Sequence, residues 1–172
     1  MVLTVVTAVV VAALMEGWAA WMHGKLWHGL LWPAHRSHHP PPPAPGERHR
    51  PRWEFNDIFG LGHAMLAAPL IMWGLTPPFD VPQQLALGLG SGMTAFGLAY
   101  VVVHDGLVHG RLPVGFLRRS AFLRRVAAAH RVHHKLGGPP FGLFCGPWVL
   151  RRHAARRKQR AAARLVQSGP HG

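Results

Sequence analysis

The sequence predicts an all-α integral membrane protein of about three to four transmembrane helices, with clustered histidines on one side of the membrane. Three observations lead there: three segments of spanning length with almost no charge, basic residues confined to the connections on one side of them, and histidines crowded into those same connections. The composition is two-sided in the same way. Hydrophobic residues make up 49% and mean hydropathy is +0.10, yet the net charge is +13 and the pI is near 11.9. A soluble domain rarely combines the two, whereas a small membrane protein with basic loops does so naturally. At 172 residues the chain is one domain's length.

The first span is residues 1–22, apolar except for Thr4, Thr7 and Glu16. The second is 58–75, "IFGLGHAMLAAPLIMWGL", with one His and no formal charge. The third is 83–103, uncharged, carrying the small residues Gly88, Gly90, Ser91 and Gly92. A span needs roughly 20 apolar residues, which each segment meets or nearly meets. The small residues mark a face where helix backbones approach closely. Buried core helices are the disfavoured alternative, because a chain this short cannot wrap three of them. The apolar N-terminus is also too long for a signal-peptide h-region, and no A-x-A cleavage site follows it.

The connectors follow from their residues. "PPPPAPGERHRPR" (40–52) reads as a polyproline spacer. Asn56 or Asp57 is placed to N-cap the second span. "LTPPFDVP" is a short turn between the second and third spans. Residues 111–134 alternate basic and apolar as a surface-lying helix would. Residues 136–150 have room for a fourth, short interfacial or re-entrant helix. The division expected is a membrane domain over 1–150 and a basic, helix-prone tail over 151–172 that rests on anionic lipid headgroups, the alternative being a solvated disordered tail.

Charge sets the expected orientation. All 19 Lys and Arg lie within 25–52 or 111–164, and none within 1–24 or 76–82. By the positive-inside rule the N-terminus is outside, and both basic segments and the C-terminus are cytoplasmic. For a bacterial chain this means the inner membrane. Both histidine-rich segments then emerge on one face, where they can meet.

Ten of the 14 histidines fall into four boxes. His23 and His28 form HX4H, and His35, His38 and His39 form HXXHH; His104 with His109, and His130, His133 with His134, repeat the pair. On a helix the HXXHH members share one face, within reach of one ion. The HX4H members stand about 140° apart on an ideal helix, so they need a helix end or a distorted turn, or serve different metals. Imidazole suits iron, zinc and copper, and ten imidazoles exceed the shell of one ion but suit two. A structural zinc site is closed with four ligands and needs no such number. Iron with an open position activates oxygen. His49, His63, His153 and His171 lie outside the boxes and are read as non-ligands.

Glu16 is an ionisable group deep in the first span, at a cost of roughly 2.5–3.5 kcal/mol unless it faces the bundle. It precedes His23 by two helical turns, about 10 Å of rise, on the same face but too far for contact. Asp57 and Asp105 are nearer candidates for orienting the imidazoles. Cys145 is the single cysteine; it excludes an intramolecular disulfide and reads as a buried small apolar residue. No Walker loop, dinucleotide fingerprint or Ser-His-Asp grouping is present. The basic charge is spent on topology and lipid, with no platform for nucleic acid.

The segments "MEGWAAWMH", "HGKLWHGLLWPAHRSHH", "FNDIF", "GMTAFGLAYVVVHDGLVHGRLP", "FLRRVAAAHRVHH" and "FGLFCGP" resemble the bacterial β-carotene hydroxylase family of the fatty acid hydroxylase superfamily. "HDGLVH" followed about twenty residues later by "AHRVHH" carries most of the specificity. The chain departs from the family at Pro40, where relatives have an acidic residue, and in its longer proline-rich spacer. The resemblance implies a membrane di-iron mono-oxygenase that hydroxylates the β-ionone ring at carbon 3, taking β-carotene through β-cryptoxanthin to zeaxanthin. It implies two non-haem iron ions held by the ten box histidines, dioxygen as co-substrate and a carotenoid in the bilayer. Electrons come from a ferredoxin-type or other external reductase, since the chain has no flavin, haem or iron–sulfur motif. Two alternatives stay open: a related membrane oxygenase (carotenoid ketolase, fatty-acyl or sterol hydroxylase, or desaturase), or a non-enzymatic metal-binding membrane protein. A transporter would hold its ligands at mid-membrane depth, whereas these flank the spans.

Overall fold

The computed structural model describes residues 1–39 and 53–167. The proline-rich connector at 40–52, with His49, and the last five residues, with His171, lie outside the described residues. All regular structure among the described residues is helical. Helix α1 (Val2–Met22) runs on without a break into a π-helical segment, His23–Leu30, and the chain leaves it at Gly29. A short α2 (Trp32–His35) and a 3-10 turn (Arg36–His38) follow. A second 3-10 turn (Phe55–Asp57) leads into α3 (Ile58–Gly74). Helix α4 (Val81–Val101) continues into a second π-helical segment, Val102–Val108. A 3-10 turn (Gly115–Arg119), α5 (Ala121–Leu136) and α6 (Gly146–Gln167) complete the order.

Three helical stretches, Val2–Leu30, Phe55–Gly74 and Val81–Val108, are long and apolar enough to cross a membrane. The 21 residues of α1 alone rise about 30 Å, the thickness of a hydrocarbon core. Large apolar side chains on all three, among them Val9, Leu14, Met65, Met72 and Leu98, face outward. Water would oppose that exposure; lipid tails accept it.

Helix α4 lies between α1 and α3, and its small residues are the reason. A Cβ on Gly88 would come within 2.6 Å of Thr7, and one on Gly92 within 2.5 Å of the Ala8 carbonyl, so this face receives α1. A Cβ on Gly90 would come within 2.8 Å of the Ala67 carbonyl, so the next face receives α3. Close approach substitutes for a hydrophobic force that lipid does not supply. The Met1 amine donates to Gln84 Oε1 at 2.9 Å, joining the start of α1 to the first turn of α4 at one end of the bundle. The end of α1, the start of α3 and the end of α4 therefore share the opposite end.

That end is built by α5. Ser120 caps it by accepting from the Leu123 amide at 3.4 Å, and Gly137 ends it in the left-handed region at φ +67°. The helix expected over 111–134 thus begins only at Ala121: before it lie Pro113, the 3-10 turn Gly115–Arg119 and the extended Ser120. Val126 and Ala127 of α5 pack against Val103 and Leu107 of the π segment and against Leu143. No separate short helix forms in 136–150; residues 138–145 are irregular up to the start of α6. Cys145, expected buried, is exposed. On α6, which runs across residue 150, the Arg152 guanidinium lies over the Trp148 ring at 4.5 Å.

Overpacking a tight backbone contact costs about 1–3 kcal/mol. Gly92→Ala is therefore expected to lower the thermal midpoint in detergent and the yield of folded protein. Gly62→Ala, whose Cβ meets nothing within 4 Å, should leave both unchanged.

Candidate metal centre

The structure resolves how HX4H can work. In each π segment the hydrogen bonds skip five residues: the Leu31 amide donates to the Leu26 carbonyl at 2.7 Å, and the His109 amide to the His104 carbonyl at 3.0 Å. The wider turn brings residues five apart onto one side. Ring centroids stand 5.1 Å apart for His23 and His28, and 4.7 Å apart for His104 and His109. The distorted turn is thus the solution adopted, and each HX4H pair serves one group.

The ten box histidines converge in two groups of five: His23, His28, His35, His39 and His133, and His38, His104, His109, His130 and His134. Within each group one nitrogen per ring lies within 4.8 Å of all the others. The expectation that an HXXHH box serves one ion is corrected here. In each box the first and last His stay together, while the middle one crosses over. His38 leaves His35 and His39 for the second group, and His133 leaves His130 and His134 for the first. On α5, His130 and His134 at i and i+4 lie one above the other while His133 projects to the other flank of the stripe; in the first box the split falls where α2 gives way to the 3-10 turn Arg36–His38. Each group therefore holds one HX4H pair, the outer pair of one HXXHH and the middle His of the other.

The other nitrogens of the rings fix their protons. His23 Nδ1 donates to the Phe141 carbonyl at 2.9 Å, and His133 Nδ1 to the Gly138 carbonyl at 2.7 Å. A carbonyl only accepts, so in the neutral rings both Nε2 atoms carry lone pairs. Those two Nε2 atoms face each other at 3.1 Å, and His23 Nε2 also faces His35 Nε2 at 3.1 Å. His38 and His104 approach through Nε2 at 3.0 Å, His130 and His134 at 2.9 Å. Facing lone pairs repel unless a cation sits between them. Cis ligands about 2.1 Å from a metal stand about 3.0 Å apart, the spacing seen. Burial lowers His35 and His133 to about 4 and His39 to about 3, with neighbouring imidazoles adding to the effect. At neutral pH these three are uncharged and able to bind a metal. Five imidazoles exceed a tetrahedral zinc shell and suit a six-coordinate ion with a position open.

Second partners fix three more rings. His35 Nδ1 meets Asn56 Oδ1 at 2.6 Å, His38 Nδ1 meets Glu54 Oε2 at 3.0 Å, and His104 Nδ1 meets Asp105 Oδ1 at 2.8 Å. Asp105 therefore sits where the sequence places it, against an imidazole. Asp57 sits one step back: it binds Arg111 through both oxygens at 2.7 and 2.6 Å and accepts from the Glu54 amide at 3.0 Å. Arg111 is held charged by that carboxylate. Asp57 stands at the N-cap position of α3 without a side-chain cap bond there; the side-chain capping lies one turn earlier, where Glu54 and Asp57 form a reciprocal box around the 3-10 turn. Glu54 and the carbonyls of Gly138 and Phe141 have no sequence signal of their own, and Asn56 reads only as a helix cap, although "FNDIF" and "FGLFCGP" mark their neighbourhood.

Glu16 reaches none of the imidazoles. Its Oε1 accepts from the Cys145 amide at 2.9 Å, and a Cβ on Gly142 would stand 2.7 Å from that oxygen. A Cβ on Gly24 would meet the Phe141 ring at 2.7 Å. The irregular 138–145 segment is thus fastened to α1, which holds the Phe141 carbonyl over His23. His63 lies apart from both groups: it accepts from Trp18 Nε1 at 3.4 Å and lines the cavity described next. His153 is exposed on α6.

A cavity of about 700 Å³ opens between α1, α3 and α4 and reaches the histidines. Met15, Ala19, Ala64, Met93 and Phe96 line it among the spans, while His23, His35, His38 and His104 lie at its polar end. It thus touches two rings of each group.

Losing a buried hydrogen-bond partner costs about 1–3 kcal/mol. Glu16→Gln retains an acceptor for the Cys145 amide and is expected to keep the wild-type thermal midpoint and metal content. Glu16→Leu should lower both, as read by unfolding in detergent and elemental analysis.

The fatty acid hydroxylase family matches residues 8–148. A β-carotene 3-hydroxylase, chloroplastic, of Gentiana lutea is 47% identical over 138 residues, covering 79% of this chain and 41% of that protein. β-Carotene 3-hydroxylase 1, chloroplastic, of Arabidopsis thaliana is 47% identical over 138 residues, covering 79% and 42%. The β-carotene hydroxylase of Pantoea ananas is 37% identical over 163 residues, 90% of this chain and 86% of that protein. The chain spans about two-fifths of the length of the plant relatives it matches. No solved structure matches significantly. By the extent of these matches the chain belongs to the fatty acid hydroxylase family and, within it, stands with the β-carotene hydroxylases.

Proposed function

We propose that the chain hydroxylates the β-ionone ring of carotenoids at carbon 3, converting β-carotene through β-cryptoxanthin to zeaxanthin. The observation that carries this reading is the cavity: an apolar slot among the spans that ends at two rings from each histidine group. A long polyene enters such a slot from the bilayer without meeting water, and only its end ring reaches the polar side. The activities for which the relatives from Gentiana, Arabidopsis and Pantoea are named favour this substrate over fatty-acyl or sterol chains.

The ten box histidines are the proposed ligands, five to each of two iron ions. Iron held there would supply activation of dioxygen against an unreactive C–H bond. In balance, one oxygen atom enters the C–H bond to give the alcohol, and the other leaves as water with two electrons and two protons. The electrons come from a ferredoxin-type or other external reductase. The protein's own part is positional. Phe141, Gly138, Asn56, Glu54 and Asp105 hold the Nδ1 side of five rings so that Nε2 would face a bound metal. The spans hold the ring in place and exclude water.

The proposed division is a catalytic unit over 1–150 with a basic extension over 151–172. The proposed setting is a bacterial inner membrane, N-terminus outside, with the histidines and C-terminus cytoplasmic. Basic α6, anchored by Trp148, then lies along anionic headgroups.

Expression in a bacterium that accumulates β-carotene, with pigment chromatography, is expected to yield zeaxanthin; echinenone or canthaxanthin would instead identify a ketolase. Alanine at any box histidine should abolish the product while His153→Ala leaves it. Full activity in two or more box variants would overturn the ligand assignment. For orientation, a reporter active only in the periplasm should work when fused near residue 79 and be silent after residue 110. The reverse pattern would invert the topology.

A further inference from the structure

The two histidine groups differ in what stands behind their rings. In the first group every Nδ1 partner named among the described residues is neutral: the Phe141 and Gly138 carbonyls and the Asn56 amide oxygen, on His23, His133 and His35. In the second group the two named among the described residues are carboxylates: Glu54 on His38 and Asp105 on His104. A carboxylate draws the Nδ1 proton toward itself and makes Nε2 a stronger donor; a carbonyl does so far less. The two carboxylates are also tied together. Arg111 grips Asp57 through both oxygens and lies 3.7 Å from Asp105 Oδ1. Asp57 in turn accepts from the Glu54 amide. One guanidinium thus steadies the supports of His38 and His104, whose Nε2 atoms meet at 3.0 Å.

We propose that the two metal sites are unequal, the His38–His104 group holding its metal more tightly than the His23–His133 group. Glu54 and Asp105 supply the difference, and Arg111 acts as the positioning residue that keeps both carboxylates in place. This rests on the reading that each group binds one iron.

The test is stepwise removal of iron from the purified full-length protein in detergent by a ferrous chelator, followed by elemental analysis and absorbance. Wild type is expected to lose its two irons in two phases. His28→Ala should remove the fast phase and His109→Ala the slow one. Glu54→Gln, which keeps size and an acceptor, is expected to weaken the slow phase about 10- to 100-fold and leave the fast one unchanged. Arg111→Gln should weaken the slow phase in the same direction. Asn56→Asp, which gives His35 a carboxylate, should slow the fast phase and bring the two together. A merely structural role for these residues would instead shift both phases equally. Two irons leaving in one phase, or a Glu54→Gln protein whose phases match wild type, would overturn the inequality while leaving the two-metal reading intact. Fewer than two irons in wild type would overturn both.

Discussion

Imidazole nitrogens facing one another at about 3 Å, with their opposite nitrogens already donating to carbonyls, are the constraint on which the rest depends. Left alone, such an array pushes itself apart; a shared cation turns the same spacing into a coordination shell. The surrounding chain makes sense as the means of holding ten rings in that geometry. The π segments put both members of HX4H on one side, the crossing of His38 and His133 ties each group to both halves of the chain, and the 138–145 segment is fastened to α1 through Glu16.

The membrane part supplies the frame and the access. Because α4 carries glycines on two faces, α1 and α3 both press against it. Toward the histidine end, space is left between the three helices, and that space is the cavity. Apolar walls, an outward-facing apolar surface and a polar end at the helix termini are consequences of one arrangement. It suits a reactant dissolved in lipid that presents one end at a time.

Much of this was legible in the residues. Span lengths, the small-residue face of the third span and the four boxes all follow from composition and spacing, because those signals are local. The need for a distorted turn at HX4H also followed, since 140° cannot be reconciled with one ion on an ideal helix. What escaped is long-range. Nothing in "HXXHH" says that its middle His belongs to another group, because that depends on where the other box lies. The hydrogen bonds of Asn56 to His35 and of the Phe141 carbonyl to His23 join positions 21 and 118 residues apart. Cys145 reads as buried by residue type, yet its backbone amide does the packing work through Glu16 while its side chain points out. Asp57 sits in the right neighbourhood, with Arg111 as its partner in place of an imidazole.

The most direct measurement is X-ray absorption at the iron edge of the purified protein, with iron counted per chain in the same sample. Two irons per chain, each in a shell of nitrogen and oxygen with the outer-shell scattering of about five imidazoles, are expected from the two groups of five. A sulfur ligand, a single iron, or an average of only one or two imidazoles per iron would contradict a paired all-histidine centre.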